Sequence, residues 1–151
     1  MIELQKMRDS MSAPQLHESP PAFNAGIAAV SVAEKILQGV IFEEEKDLTQ
    51  SALLLKEAVA REDGMKYNEP KDWTHPARQY LGNVLLKAKR YKEAEQVYRE
   101  DIRINPNNAW SLTGLLQALK QQGKKNEAAL VKQLLATALS GSNVTLTHSV
   151  F

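Results

Sequence analysis

The chain has 151 residues, with 19 Lys and Arg against 18 Asp and Glu. A net charge of +1 gives no electrostatic basis for holding nucleic acid or an anionic membrane. The absence of Cys excludes a disulfide framework, a thiolate zinc site, an iron–sulfur cluster and a Cys nucleophile.

The first segment, Met1 to Met11, reads as a short helix with Leu4, Met7 and Met11 on one face. Charges of both signs interrupt it, so it holds no apolar signal core. His17 to Asn24 contains Pro20-Pro21 and reads as a linker. Residues 1–24 are therefore expected to be the remnant of an upstream repeat. Residues 32–65 carry a helical pattern, with the acidic run Glu43-Glu44-Glu45 at a helix end. An insertion follows at 66–74. Ala77, Tyr80, Leu81, Val84, Leu85 and Ala88 recur at three and four, which places them on one helix face. Tyr91, Ala94, Val97, Tyr98 and Ile102 stripe the next helix, and Pro106 in Asn105-Pro106-Asn107-Asn108 ends it. Asn108 suits the N-cap of a helix carrying Leu112, Leu115, Leu116 and Leu119. Gly123 breaks that helix, and Ala128, Val131, Leu135, Ala138 and Leu139 stripe the last one. Residues 143–151 form a tail. The stretch from Gln133 onward lacks Asp, Glu, Lys and Arg but is studded with Ser and Thr, which hydrocarbon would penalise. A soluble, cytoplasmic chain is the expectation.

Pairs of helices joined by tight turns suggest a repeat array. His75 to Asn108 spans 34 residues, with Leu81-Gly82 at positions seven and eight, Tyr91 at seventeen, Ala94 at twenty, Tyr98 at twenty-four and Pro106 at thirty-two. Small residues at eight and twenty let two helices approach closely, and the aromatic at twenty-four fills the space between repeats. In this pattern the segment resembles the tetratricopeptide repeat family. A second copy over 109–142 keeps Leu115, Gly123 and Ala128 but has Leu116, Lys132 and Ser140 where a small residue, an aromatic and Pro are usual. A third over 32–65 puts Gly39 at eight, Ser51 at twenty and Leu55 at twenty-four, with Lys35 and Gln38 departing from the usual apolar pair. Glu62-Asp63-Gly64-Met65, Tyr67-Asn68-Glu69-Pro70, Trp73, Tyr98-Arg99-Glu100-Asp101-Ile102 and Asn143-Val144-Thr145-Leu146-Thr147 resemble the C-terminal region of long bacterial tetratricopeptide-repeat proteins of uncharacterised function. The expected fold is an all-α solenoid of helix hairpins over 25–142, about three pairs plus the short N-terminal helix. The chain is expected to be the end of a longer array.

The resemblance implies a concave groove lined by the first helix of each pair. Its residues are Ala33, Ile36, Val40, Glu43 and Glu44 in the first repeat and Pro76, Gln79, Asn83, Leu86 and Lys87 in the second. The third repeat gives Trp110, Thr113, Gln117, Lys120 and Gln121. Amides there suit the backbone of an extended peptide. Lys87 and Lys120 would attract a carboxylate, while a merely solvated helix face is the plainer alternative. Tetratricopeptide domains that clamp the C-terminal carboxylate of heat-shock chaperones use Lys, Asn and Arg at set positions, and only Asn83 matches here. The insertion offers a second surface at Tyr67, Trp73, His75 and Arg78; alternatively, Tyr67 and Trp73 pack a widened junction while Thr74 caps the next helix. His17, His75 and His148 are scattered, the seven Gly stand singly, and no Ser lies in a nucleophile elbow, so neither catalysis nor a metal or other cofactor is expected. Ser149-Val150-Phe151 fits the carboxylate-capture pattern of PDZ ligands; alternatively, Val144, Leu146, Val150 and Phe151 cover Leu130 and Leu134 of the last helix. The expected function is a non-catalytic interaction module binding a protein or peptide through Gln79, Asn83, Lys87, Trp110, Thr113, Gln117 and Lys120. The alternatives are self-association through exposed repeat edges and a small-molecule site at the insertion.

Overall fold

The computed structural model describes residues 2–18, 24–67 and 73–150. Among these residues there are seven α-helices and no strand: α1 (Ile2–Ser10), α2 (Gly26–Glu44), α3 (Leu48–Asp63), α4 (Ala77–Lys87), α5 (Tyr91–Ile104), α6 (Ala109–Gln121) and α7 (Lys125–Ala138). This is the expected all-α fold of helix hairpins preceded by a short helix. The chain divides into two compact units, one ending at Ala77 and the other beginning at Arg78. The Pro20-Pro21 linker and most of the insertion (residues 68–72) lie outside the described residues.

In the first unit, α2 and α3 form a hairpin. Asp47 starts α3 by accepting the Gln50 N–H at 2.9 Å. Ser51, Leu55 and Ala58 then recur on its buried face. A Cβ on Gly39 would lie 2.6 Å from Leu55 Cγ, so only hydrogen fits there. Ser51 Oγ donates to the Gly39 carbonyl at 2.7 Å. Full burial of Leu55 contributes about 1.5–3 kcal/mol. The two polar departures from the repeat pattern are accommodated by pairing. Gln38 is buried and donates to Glu34 at 3.0 Å. Lys35 of α2 reaches Glu57 of α3 at 2.6 Å and holds that carboxyl below its ordinary range. Glu34 also receives Arg8 of α1 at 2.8 Å, and Leu4 is buried, which fixes α1. Asn24 exchanges two 2.8 Å bonds with the backbone of Lys66 and so closes the base of the hairpin.

In the second unit, α5, α6 and α7 pack in succession. Leu81, Val84, Leu85, Ala94, Tyr98, Leu112, Leu115, Leu119, Ala128 and Val131 are buried, as their periodicity predicts. Asn108 caps α6 by accepting the Trp110 N–H at 3.2 Å. Glu95 of α5 is buried and receives Lys124 at 2.8 Å, Gln122 at 2.8 Å and Arg99 at 3.0 Å. Burial alone would raise its pKa, but the bonds from Lys124, Gln122 and Arg99 outweigh burial and lower it.

The three hairpin turns share one geometry. Lys46, Lys89 and Gly123 have φ of 66°, 57° and 72°. The next N–H in each turn bonds back five residues: Asp47 to Phe42 at 2.9 Å, Arg90 to Leu85 at 2.8 Å, and Lys124 to Leu119 at 3.0 Å. This is the 6→1 bond that ends a helix on a left-handed residue. Lys89 follows Lys46 by 43 residues, and Gly123 follows Lys89 by 34. The same backbone turn thus recurs after 43 and then 34 residues.

Two outcomes follow from these features. Lys46→Gly and Lys89→Gly should each raise the denaturant-unfolding free energy by about 0.5–1 kcal/mol, and Gly123→Ala should lower it by about 1 kcal/mol. A carboxyl with a depressed folded pKa stabilises above its unfolded value, and that stabilisation is lost as pH falls through the folded one. Glu95→Gln should thus cost about 1–2 kcal/mol at pH 7. In urea titrations across pH, the gap to the parent chain should close below the ordinary Glu value of about 4.3.

Candidate functional site

The site begins with Tyr98. Its side chain is fully buried on α5, in a slot formed by two glycines. A Cβ on Gly82 of α4 would lie 2.3 Å from Tyr98 Cζ, and one on Gly114 of α6 would lie 2.1 Å from it. The ring thus occupies space that any larger residue on either helix would fill. One turn further along α5, Asp101 is buried and accepts Asn105 Nδ2 at 2.9 Å, Asn108 Nδ2 at 2.9 Å and Ser111 Oγ at 2.5 Å. These bonds tie α6 to α5 and set where its exposed edge falls.

The Tyr98 hydroxyl emerges beside the tail. It lies 2.5 Å from Ser149 Oγ, which in turn lies 3.5 Å from the Gln79 carbonyl of α4. Tyr98 donating to Ser149, and Ser149 donating to Gln79, satisfies both hydroxyls. Burial pushes the Tyr98 phenol far above its ordinary range, with the Ser149 bond opposing and the Asp101 charge adding to the rise. The phenol is therefore a neutral donor at any physiological pH. Gln117 Nε2 of α6 donates to the Thr147 carbonyl at 2.5 Å. Ser149 is only 1% exposed, whereas Thr147 and His148 beside it face solvent.

The structure brings part of the expected groove together around this tail. Gln79 and Gln117 contact it through a carbonyl and an amide. Asn83 and Thr113 are buried, and the Thr113 hydroxyl donates to the Ala109 carbonyl at 2.8 Å. Trp110 is half-buried, while Lys87 and Lys120 are exposed. In the first unit, Ile36 and Glu43 are buried at their groove positions.

The alternative role expected of the tail, covering the last helix, is incorrect. Leu130 and Leu134 remain 62% and 53% exposed, and the tail runs to Gln117, Tyr98 and Gln79 instead. It takes that course because the buried Tyr98 hydroxyl needs a polar partner, which Ser149 supplies. Ser149 is consequently not displayed as a PDZ ligand would display it, and Phe151 lies outside the described residues.

At the insertion, Tyr67 is 72% exposed. Trp73 Nε1 donates to the His75 carbonyl at 2.5 Å, and the Trp73 and His75 rings are tilted with centroids 5.9 Å apart. His75 is exposed. Arg78 is buried and belongs to the second unit. Thr74 does not cap α4. Its hydroxyl pairs with His75 Nδ1 at 3.2 Å, and Glu62 accepts the Ala77 N–H at 2.8 Å. A carboxylate is the better acceptor at a positively polarised helix start. Among the described residues no group of His, Asp and Glu could hold a metal ion, and no helix is long and apolar enough to cross a membrane.

Sequence reasoning missed the roles of three residues here. Gly114 lies two positions before the expected small site. Asp101 carries no periodic signal as a buried acid, although Asn105, Asn108 and Ser111 around it are donors. Ser149 lies in a segment with no helical period at all.

Residues 76–108 match the family model of the tetratricopeptide repeat. No curated protein matches the chain. The hairpin α4–α5 lies within that match, and the all-helical architecture is consistent with a member of that family.

The glycine slot has a measurable consequence. Ala in place of Gly82 or Gly114 should gain about 1 kcal/mol in helix propensity yet lose about 1–3 kcal/mol to overpacking against Tyr98. Each variant should therefore show a lower thermal midpoint. Adding Tyr98→Leu should recover part of the loss in a double-mutant cycle.

Proposed function

We propose, from the tetratricopeptide repeat at residues 76–108, that the protein is a non-catalytic interaction module whose α4 and α6 surface receives an extended segment of a partner protein. The observation that carries this reading is the 2.5 Å bond from Gln117 to the main-chain carbonyl of Thr147. An amide on the first helix of a hairpin holds non-helical backbone there, as recognition of extended peptide requires. Gln79, Asn83, Thr113 and Gln117 form the inner part of the surface, and Trp110, Lys87 and Lys120 its outer part. A bacterial, cytoplasmic setting belongs to the same proposal; the first rests on the sequence resemblance, and the Cys-free composition is compatible with the second.

Selection of random peptides against the full chain, followed by titration calorimetry of those recovered, tests the reading. Gln117→Ala should weaken selected peptides about tenfold, the effect of losing one well-placed hydrogen bond. It should leave the far-ultraviolet circular dichroism unchanged. Peptides that bind Gln117→Ala and the parent chain equally would refute the groove.

A further inference from the structure

We propose that residues 146–150 are a built-in competitor for this groove, and that the partner presents an extended, uncharged segment with a Ser or Thr side chain directed at Tyr98. The inference rests on the groove reading and adds the ligand chemistry and a threshold for binding.

Three observations carry it. First, what the groove uses of the tail is generic: one main-chain carbonyl, at Thr147, and one small hydroxyl, at Ser149. Any extended chain with Ser or Thr two residues after the bonded carbonyl offers the same pair. Second, the seat of Ser149 is selective. The residue is almost wholly buried, which leaves no room for a large side chain. Its hydroxyl is the partner of the buried Tyr98 hydroxyl, so an apolar replacement would leave that donor unsatisfied. A charged side chain at the same place would be taken out of water with no partner of opposite sign shown there. Third, the tail is an irregular segment seated through few residues. It has no regular secondary structure after residue 141, and Thr147 and His148 face solvent. Its attachment to α7 keeps it near the groove at an effective concentration on the order of millimolar, so weak contacts suffice to keep it seated. A partner that binds only when the tail has left meets an affinity reduced by the fraction of time the groove is open.

The probe is a fluorescein-labelled peptide with the sequence of residues 143–151, titrated by anisotropy against the full chain. In Ser149→Leu the chain's own tail should leave the groove, and faster amide exchange over 146–150 reports that directly. The peptide should then bind Ser149→Leu at least about tenfold more tightly than the parent chain, with Ser149→Ala between them. A peptide carrying Leu in place of its own Ser should bind neither chain. Gln117→Ala in the Ser149→Leu background should abolish the gain. Equal binding to parent and Ser149→Leu chains, still sensitive to Gln117→Ala, would overturn the competition and leave the groove standing. Binding insensitive to Gln117→Ala would overturn the groove itself. No binding to Ser149→Leu with an exchanging tail would overturn the ligand chemistry.

Discussion

The second unit depends on one steric constraint: the Tyr98 ring occupies the space denied to side chains at Gly82 and Gly114. Because the ring is fully buried, α4 and α6 approach it at the backbone rather than through side chains. Two glycines, 32 residues apart, thus serve a single aromatic. The groove residues are consequences of this spacing. Gln79 lies one turn before Gly82 and Asn83 directly after it; Thr113 lies directly before Gly114 and Gln117 one turn beyond. Residues three or four apart share a helix face, so fixing the glycines against the ring fixes where these side chains emerge.

The first unit solves the same problem with other chemistry. Gly39 admits Leu55, and Ser51 at the position of Ala94 adds a hydrogen bond to the Gly39 carbonyl. Leu55 fills its slot but carries no hydroxyl to present at a surface. Ile36 and Val40 are apolar where the second unit has Gln79 and Asn83. The shared element is the geometry of the close approach, and the polarity of Gln79 and Asn83 is a property of the side chains laid over it.

Much of this was legible in the sequence. Gly82, Ala94 and Tyr98 declare a helix hairpin because close packing demands small residues at fixed offsets from a large one. The hairpin α2–α3 was legible for the same reason, even with Lys35 and Gln38 inside it, since paired polar residues can replace an apolar contact. The turns were less so. Only Gly123 signals a left-handed residue, whereas Lys46 and Lys89 adopt it through the closing backbone bond, which no side chain announces. Gly114 was overlooked because the expected small site fell at Leu116, and a repeat tolerates moving the gap by two residues when the ring still reaches it. The tail was the least legible part. Periodicity reports burial on helices and strands, and an extended segment docked through a carbonyl and one Ser leaves neither period.

Tyr98 also joins the core to the tail. Its ring is buried against the two glycines and its hydroxyl pairs with Ser149, so the tail satisfies a polar atom that the fold has already buried. An empty groove would expose that demand to water or leave it unmet, and an unmet buried hydroxyl costs about 1–3 kcal/mol. Occupancy by Ser149 therefore stabilises the same three helices that shape the site. The dependence runs both ways: a residue that alters the slot moves the Tyr98 hydroxyl, and on the proposed reading a ligand that replaces Ser149 inherits its role in the repeat. The proposed specificity then needs no charged clamp: it would follow from a neutral hydroxyl at the end of a tightly packed ring, with the Gln117 amide on the neighbouring helix to set the register.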